Sequence, residues 1–342
     1  MLRKGNRKPV IVSLASLLFA FIVISSSATS FGNDNKLPKE PTSDNVLYSV
    51  QDNSVALPSF TEHALSLTDD IAVKFMVSFP EDPDPSDCYV DFVVSDGERS
   101  TMLYSESEKA ERPHAVYFSC NISPFELADQ ITATLHYGGE KNVEDTFSAI
   151  RCIQYVRENM SDNTKLLRLV NSLQQYGYYM QQSGWEGVRK SNESIPVPEP
   201  GLVDEDIINA KNALKKYTIV KHLNDSGISD TKISLKLDDN KTIINIFVKL
   251  EDNVPLISTG YEEVSINGEQ YYKFSSEKIS PKALGTPYTF LIQTGKGAAV
   301  ISASAMSNVS LLMNSGMLNH DQMLAMTAYY NYYTAASDYV PS

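Results

Sequence analysis

Phe118–Leu127 reads F-S-C-N-I-S-P-F-E-L, and Phe274–Leu284 reads F-S-S-E-K-I-S-P-K-A-L, the same phrase with one residue inserted before the isoleucine. A strand pattern precedes each copy and a tyrosine-rich helical pattern follows it. Upstream of the first, Ile71, Val73, Phe75 and Val77 alternate with Ala72, Lys74, Met76 and Ser78. Upstream of the second, Ile244, Ile246, Val248 and Leu250 repeat that alternation. A period of two buries one face of a strand. Two independent stretches giving the same order predict one unit written twice.

Between these landmarks, Val90, Phe92 and Val94 alternate with Tyr89, Asp91 and Val93, and Asp96-Gly97 signals a turn. Ala115–Ser119 and Ile131–Tyr137 read as further strands, with a short helix starting at Ser123-Pro124. From Phe147 the spacing becomes helical, through Ile150, Ile153 and Val156. After Ser161-Asp162-Asn163 a second helix places Leu166, Leu169, Val170, Leu173, Gly177 and Met180 on one face. Glycine inside a helix costs ~1 kcal/mol relative to alanine, so Gly177 predicts a close-lying backbone. In the second half, Asn267-Gly268 predicts a hairpin between Glu262–Ile266 and Tyr271–Phe274. Strands at Tyr288–Gln293 and Ala298–Ala303 follow. A last helix starts near Asp321 with Asn319 as cap, and Tyr330-Asn331 is matched to Tyr176-Gly177.

Strands followed by helices, twice over, predict an α+β fold. Each of its two similar units is a small, mainly antiparallel β-sheet or sandwich closed by helices. Residues 56–183 make the first module and 230–342 the second. Residues 184–229 form a linker, rich in Gly and Pro, and a connecting helix capped by Asp204.

The N-terminus gives an address. Arg3, Lys4, Arg7 and Lys8 precede an apolar run from Val10 to Ile24, and Ser26-Ser27-Ala28 supplies small residues for cleavage. Residues 1–28 read as a secretory signal peptide, or as a membrane anchor if left uncleaved. Residues 29–55 read as a flexible leader. The expected location is extracellular or at the cell surface. Losing the four basic residues moves the formal charge of the 342-residue chain from −13 to −17. That acidity argues against a nucleic-acid partner.

Export permits a disulfide, and Cys88 and Cys120, at the start and end of strands, are the expected pair. Cys152, on a helical pattern, reads as a buried thiol. The five histidines have no metal-ligand spacing, so neither metal nor cofactor is expected. Asp82, Asp84 and Asp87 form an acidic loop without the ligand spacing of a calcium hand. No catalytic motif is present, and the chain reads as a non-enzyme. The binding candidates are aromatic: Tyr178, Tyr179 and Trp185 in the first half, Tyr329, Tyr332 and Tyr339 in the second. Exposed rings of this kind stack on sugars or pack on partner proteins.

Leu67-Thr68-Asp69-Asp70-Ile71-Ala72-Val73-Lys74-Phe75 resembles the opening strand of a module in exported proteins of Gram-positive anaerobes. Leu173-Gln174-Gln175-Tyr176-Gly177, with Gln181-Gln182, and Tyr329–Ala336 resemble its closing helices. The resemblance covers most of residues 60–340. It implies a cell-surface module without an assigned activity. Tyr178, Tyr179 and Met180 depart from it, standing where the family has small residues. The leading expectation is a secreted tandem module that binds a cell-wall carbohydrate or a surface protein. A structural spacer of the envelope is the alternative, and a hydrolase with an unrecognised site is the third.

Overall fold

The computed structural model describes residues 22–25, 57–67, 70–81, 85–95, 97, 99–139, 141–185, 193–238 and 241–339. Its first half contains β1 (Ile22–Ser25), β2 (Ser59–Ser66), β3 (Ala72–Ser78), β4 (Tyr89–Val94), β5 (Arg99–Leu103), β6 (Glu108–Lys109), β7 (Ala115–Asn121), β8 (Ile131–Tyr137) and β9 (Lys141–Phe147). Helices α1 (Ala149–Asn159), α2 (Thr164–Gln182) and α3 (Asp204–Leu214) follow. The second half contains β10 (Val220–His222), β11 (Ile228–Asp238), β12 (Lys241–Leu250), β13 (Glu262–Ile266), β14 (Glu269–Ser275), β15 (Tyr288–Gln293) and β16 (Ala298–Ala303), then α4 (Ala305–Asn314) and α5 (His320–Asp338). The fold is α+β, with four small antiparallel sheets.

In the first half, sheets of order β1-β2-β3-β7-β6 and β5-β4-β8-β9 face each other. Alternation decides which side faces the second sheet, although the other side of β3, with Ala72, Lys74 and Met76, is buried too. Val73, Phe75 and Val77 are wholly buried, and Phe118 lies beside Phe75 in register. Val90, Phe92 and Val94 oppose them, with the Phe75 and Phe92 rings 5.6 Å apart. In the second half the sheets are β11-β12-β14-β13 and β10-β16-β15. Ile244, Ile246 and Val248 from one pack with Phe290, Ile292 and Ile301 from the other. The Asn267-Gly268 turn joins β13 to β14 with φ of 54° and 81°, the left-handed pair that a tight hairpin requires.

The two I-S-P phrases become single 3-10 turns, Pro124–Glu126 and Pro281–Ala283. In the first, the Ser123 N–H donates to the Glu126 carboxylate at 2.7 Å, which explains a buried glutamate. Each turn is stitched to its neighbours by the same two bonds. Ile122 N–H reaches Ile71 O at 3.0 Å, and Ile279 N–H reaches Thr242 O at 2.9 Å. Ile150 N–H reaches Leu127 O at 2.7 Å, and Met306 N–H reaches Leu284 O at 3.1 Å.

Helices α2 and α5 lie antiparallel against each other. Arg168, near the start of α2, donates to Asp338 at 2.7 Å at the end of α5, while Tyr176 meets Tyr329 and Tyr332 further along. One apolar cluster runs from the first pair of sheets through both helices. Gly177 is the close approach expected of it. A Cβ there would stand 2.1 Å from the Pro124 carbonyl oxygen.

Strands β2, β5, β6, β9, β10 and β11 and helix α4 were not assigned by the sequence reading. Strand β2 was not expected, because S-F-T-E-H-A-L-S sends Glu62 and His63 into buried positions and so lacks a clean alternation. Both are paired there, Glu62 with Arg112 and His63 with Asp145. Strand β9 carries charges along its length and ends at Phe147, so α1 starts at Ala149. Helix α4 is buried on successive residues, Ala305 to Ser310, which erases an amphipathic stripe. Asp204 is not the cap of α3. Val203 occupies that position, and its N–H donates to Asp206 Oδ2 at 2.9 Å. The signal and leader readings lie outside the described residues, except Ile22–Ser25, which pairs with β2 as β1. Among the described residues, no helix is long and apolar enough to cross a membrane.

Candidate functional site

The tyrosines expected to form a binding surface are mostly structural. Tyr329 and Tyr332 are 1% exposed, too little to stack on a ligand. The Tyr329 hydroxyl pairs with Thr242 Oγ1 at 3.0 Å, and Tyr332 donates to the Leu67 carbonyl at 2.9 Å. A Tyr hydroxyl entering a core needs such a partner. Tyr179 is buried too, and its oxygen accepts the Leu202 N–H at 2.7 Å. Tyr178, Trp185 and Tyr339 remain half-buried. They do not converge, because Trp185 follows the end of α2 while Tyr339 lies beside its start. The nineteen residues of α2 separate them by about 28 Å.

The glutamines around Tyr176 do a different job. Gln174 donates to Pro196 O at 2.8 Å and Gln175 to Pro200 O at 2.9 Å. Gln181 donates to Phe125 O at 2.7 Å and accepts from Ile195 N at 3.0 Å. Residues 193–202, expected as linker, are therefore a strap fastened along α2. Proline leaves its carbonyl unmatched by any N–H of its own, and the amide side chains supply the donors.

Cys88, Cys120 and Cys152 are buried thiols, and no bridge joins Cys88 to Cys120. Cys88 leads into β4 of one sheet and Cys120 sits in β7 of the facing sheet, so each packs as a small apolar side chain. Burial pushes the Cys88 thiol up to about 11 and the Cys152 thiol up to about 12. Thiols held this way are poor nucleophiles.

Two histidines meet carboxylates. His63 Nε2 lies 2.8 Å from Asp145 Oδ2, with its ring stacked 3.9 Å from Phe147. His136 Nε2 lies 3.0 Å from Asp91 Oδ2, stacked 4.4 Å from Tyr89. The first ties β2 to β9 across the two sheets. The second sits between β8 and β4 on an outer face. Asp82 and Asp84 of the acidic loop lie outside the described residues. Among the described residues, no group of three His, Cys, Asp or Glu could hold a metal ion.

A ligand-sized cleft lies where the edges of the first two sheets meet. Strand β6 pairs only with Val116 and Tyr117 of β7, so β7 runs on beyond it. That leaves a cleft of about 360 Å³ between β5 and the end of β7, lined by Arg99, Ser100, Thr101, Glu106, Ser119 and Asn121 with Met102 beneath. Its size suits a small ligand or a short stretch of a larger one. Ser119 Oγ is buried without a hydrogen-bond partner, and the Ser119 N–H meets only the soft Met102 sulfur at 3.1 Å. Thr101 donates to Asp91 at 2.5 Å, which fixes its side of the wall. The cleft offers hydroxyls, an amide and a guanidinium, a set suited to recognising hydroxyls or peptide groups. None of these residues belonged to the aromatic set read from the sequence. Their only signal was a polar edge strand, R-S-T-M-L, after a turn.

No protein-family model matches this chain, and neither a curated protein nor a solved structure matches it.

Proposed function

We propose that this chain is an exported, non-enzymatic cell-surface module, built from two copies of one unit, that binds a carbohydrate or protein ligand in the cleft between β5 and β7. The observation that carries the binding reading is the Ser119 hydroxyl, buried without a hydrogen-bond partner in the lining of the cleft. A buried hydroxyl left unmade costs about 1–3 kcal/mol, which a ligand group would recover. The cleft holds no histidine beside a nucleophile, which favours binding over catalysis.

Duplication is supported by more than the repeated phrase. Ile122–Tyr137 aligns without a gap to Ile279–Thr294. The paired turn bonds recur in both halves, and α2 and α5 each span nineteen residues behind an asparagine cap. Aligning those caps sets Tyr176 against Tyr332 and Gly177 against Tyr333, instead of the Tyr330-Asn331 match suggested by the sequence. The resemblance to exported modules of Gram-positive anaerobes and the signal-like N-terminus support the cell-surface location.

The test is capture of glycans and cell-wall fractions by the full chain, beside Arg99→Ala and Asn121→Ala variants. Capture that weakens about tenfold in both variants, with unchanged melting, supports the reading. Capture indifferent to both removes the cleft from it. A spacer role is the second reading, favoured by the packing of Tyr176, Tyr329 and Tyr332 into one rigid junction. No capture by any fraction selects it.

A further inference from the structure

The second half has an open sheet edge where the first half has a strand. In the ungapped alignment, β15 corresponds to β8. Strand β8 is paired on both sides, by β4 and β9. Among the described residues, strand β15 is paired only by β16. The chain between β3 and β6 holds the β4–β5 hairpin, whereas between β12 and β13 it holds only residues 251–261. That short loop reaches β15 at its end alone. The Gln293 N–H donates to Ser258 Oγ at 2.8 Å, and Gln293 O accepts from Ile257 N at 2.9 Å.

Those bonds reveal which way the backbone points. Along an antiparallel strand, successive residues face opposite edges. Gln293 faces away from β16, so Leu291 and Thr289 present their N–H and C=O to the same open side. Along that strand and at its end stand Leu291 (59% exposed), Tyr288 (37%) and Ile257 (57%). Edge strands usually carry charges that discourage pairing. Here β5 has Arg99, β6 Glu108, β9 Glu144, β10 Lys221, β11 Lys232 and β13 Glu262. Two edge strands, β1 (I-V-I-S) and β15 (Y-T-F-L-I-Q), have no charge and no proline.

We propose that the open side of β15 is a docking site for an extended segment of another polypeptide, running antiparallel to β15 with bulky apolar side chains at alternate positions. This rests on the two-copy reading above. The model for the occupant is β4 itself, Y-V-D-F-V-V, whose Val90 and Phe92 face the core while its backbone pairs with β8. Strand addition of this kind takes affinity from main-chain bonds and specificity from alternate side chains. The chain's formal charge of −13 favours a partner with basic flanks and opposes a second copy.

The probe is a labelled peptide carrying the sequence of Tyr89–Val94 between lysines, titrated into the full chain. Cys88 O accepts from Tyr104 N at 3.0 Å on the β5 side, so by alternation the Asp91 and Val93 amides face β8. Saturable binding is expected. It should fall about tenfold, the loss of one or two backbone bonds, when the peptide is N-methylated at the Asp91 and Val93 positions. N-methylation at the Val90 and Phe92 positions should leave it intact. Thr289→Pro should weaken it equally, because that N–H faces outward and the β16 ladder survives. No binding, or binding indifferent to both blocks, overturns the proposal. So does a dimer by sedimentation that Thr289→Pro dissolves, which assigns the edge to a second copy. Wall-fraction capture without peptide binding defeats this site alone. Peptide binding with no such capture defeats the cleft instead.

Discussion

The ring of Tyr176 lies over that of Tyr332, with centroids 5.8 Å apart and planes 15° apart, at the crossing of α2 and α5. The Tyr332 hydroxyl passes beyond the crossing to the Leu67 carbonyl at the end of β2. One side chain therefore joins the last helix, its partner helix and the first sandwich. Tyr332→Phe should cost about 1–3 kcal/mol, since it leaves a buried carbonyl unmatched. Tyr332→Ala should cost about 3–5 kcal/mol through the cavity it opens. Urea denaturation measures both, and a Tyr332→Phe variant as stable as the parent would show that the hydroxyl contributes nothing.

Gly177 makes the reverse prediction to helix propensity. Alanine is better than glycine inside a helix by ~1 kcal/mol. Here the new methyl would meet Pro124 O at 2.1 Å and the Ile195 side chain at 2.7 Å. A carbonyl anchored in a 3-10 turn cannot step aside cheaply. Gly177→Ala should therefore destabilise by about 1–3 kcal/mol, the usual cost of overpacking. A melting temperature at or above that of the parent would refute the close approach.

What the sequence disclosed followed the strength of its periodicity. Ile71 to Val77 and Leu166 to Met180 were legible because their apolar residues recur at a fixed period, and the structure buries them, although Ala72, Lys74 and Met76 on the other face of β3 are buried as well. Strand β2 and helix α4 were hidden for opposite reasons. In β2, buried Glu62 and His63 break the apolar rhythm, and their partners Arg112 and Asp145 are far along the chain. In α4, burial on almost every side leaves no rhythm to read. The aromatic candidates misled because tyrosine serves a core as readily as a surface once its hydroxyl finds a partner. The β5–β7 cleft left almost no trace, since its walls come from separate strands whose meeting depends on how far β6 extends.

The strap is held by side-chain amides, so it should loosen before the fold does. Gln181 is its main fastening, joining Phe125 O, Glu193 O and Ile195 N at 2.7, 3.1 and 3.0 Å. Gln181→Leu keeps the size and removes all three bonds. Limited proteolysis should then cut within residues 193–202 several times faster, while the free energy of global unfolding falls by about 1–3 kcal/mol. Unchanged cleavage would mean that packing of Ile195, rather than the glutamine, holds the strap.

Alkaline pH should attack the core from within. Burial raises Cys152 from its ordinary 9.0 to about 12, and raises Tyr176, Tyr329 and Tyr332 above 10.0. Each group ionises more readily in the unfolded chain, which therefore gains stability as protons leave. The folded state keeps its full advantage below pH 9.0 and loses it as pH climbs towards 12. Cys152 alone contributes a slope of about 1.4 kcal/mol per pH unit across that window. Denaturation midpoints should fall between pH 9 and 11, and Cys152→Ala should flatten the slope by about one proton's worth. Native protein should meanwhile resist thiol reagents at neutral pH and react once unfolded. Fast modification of Cys152 in the folded chain would contradict its burial and the whole alkaline argument with it.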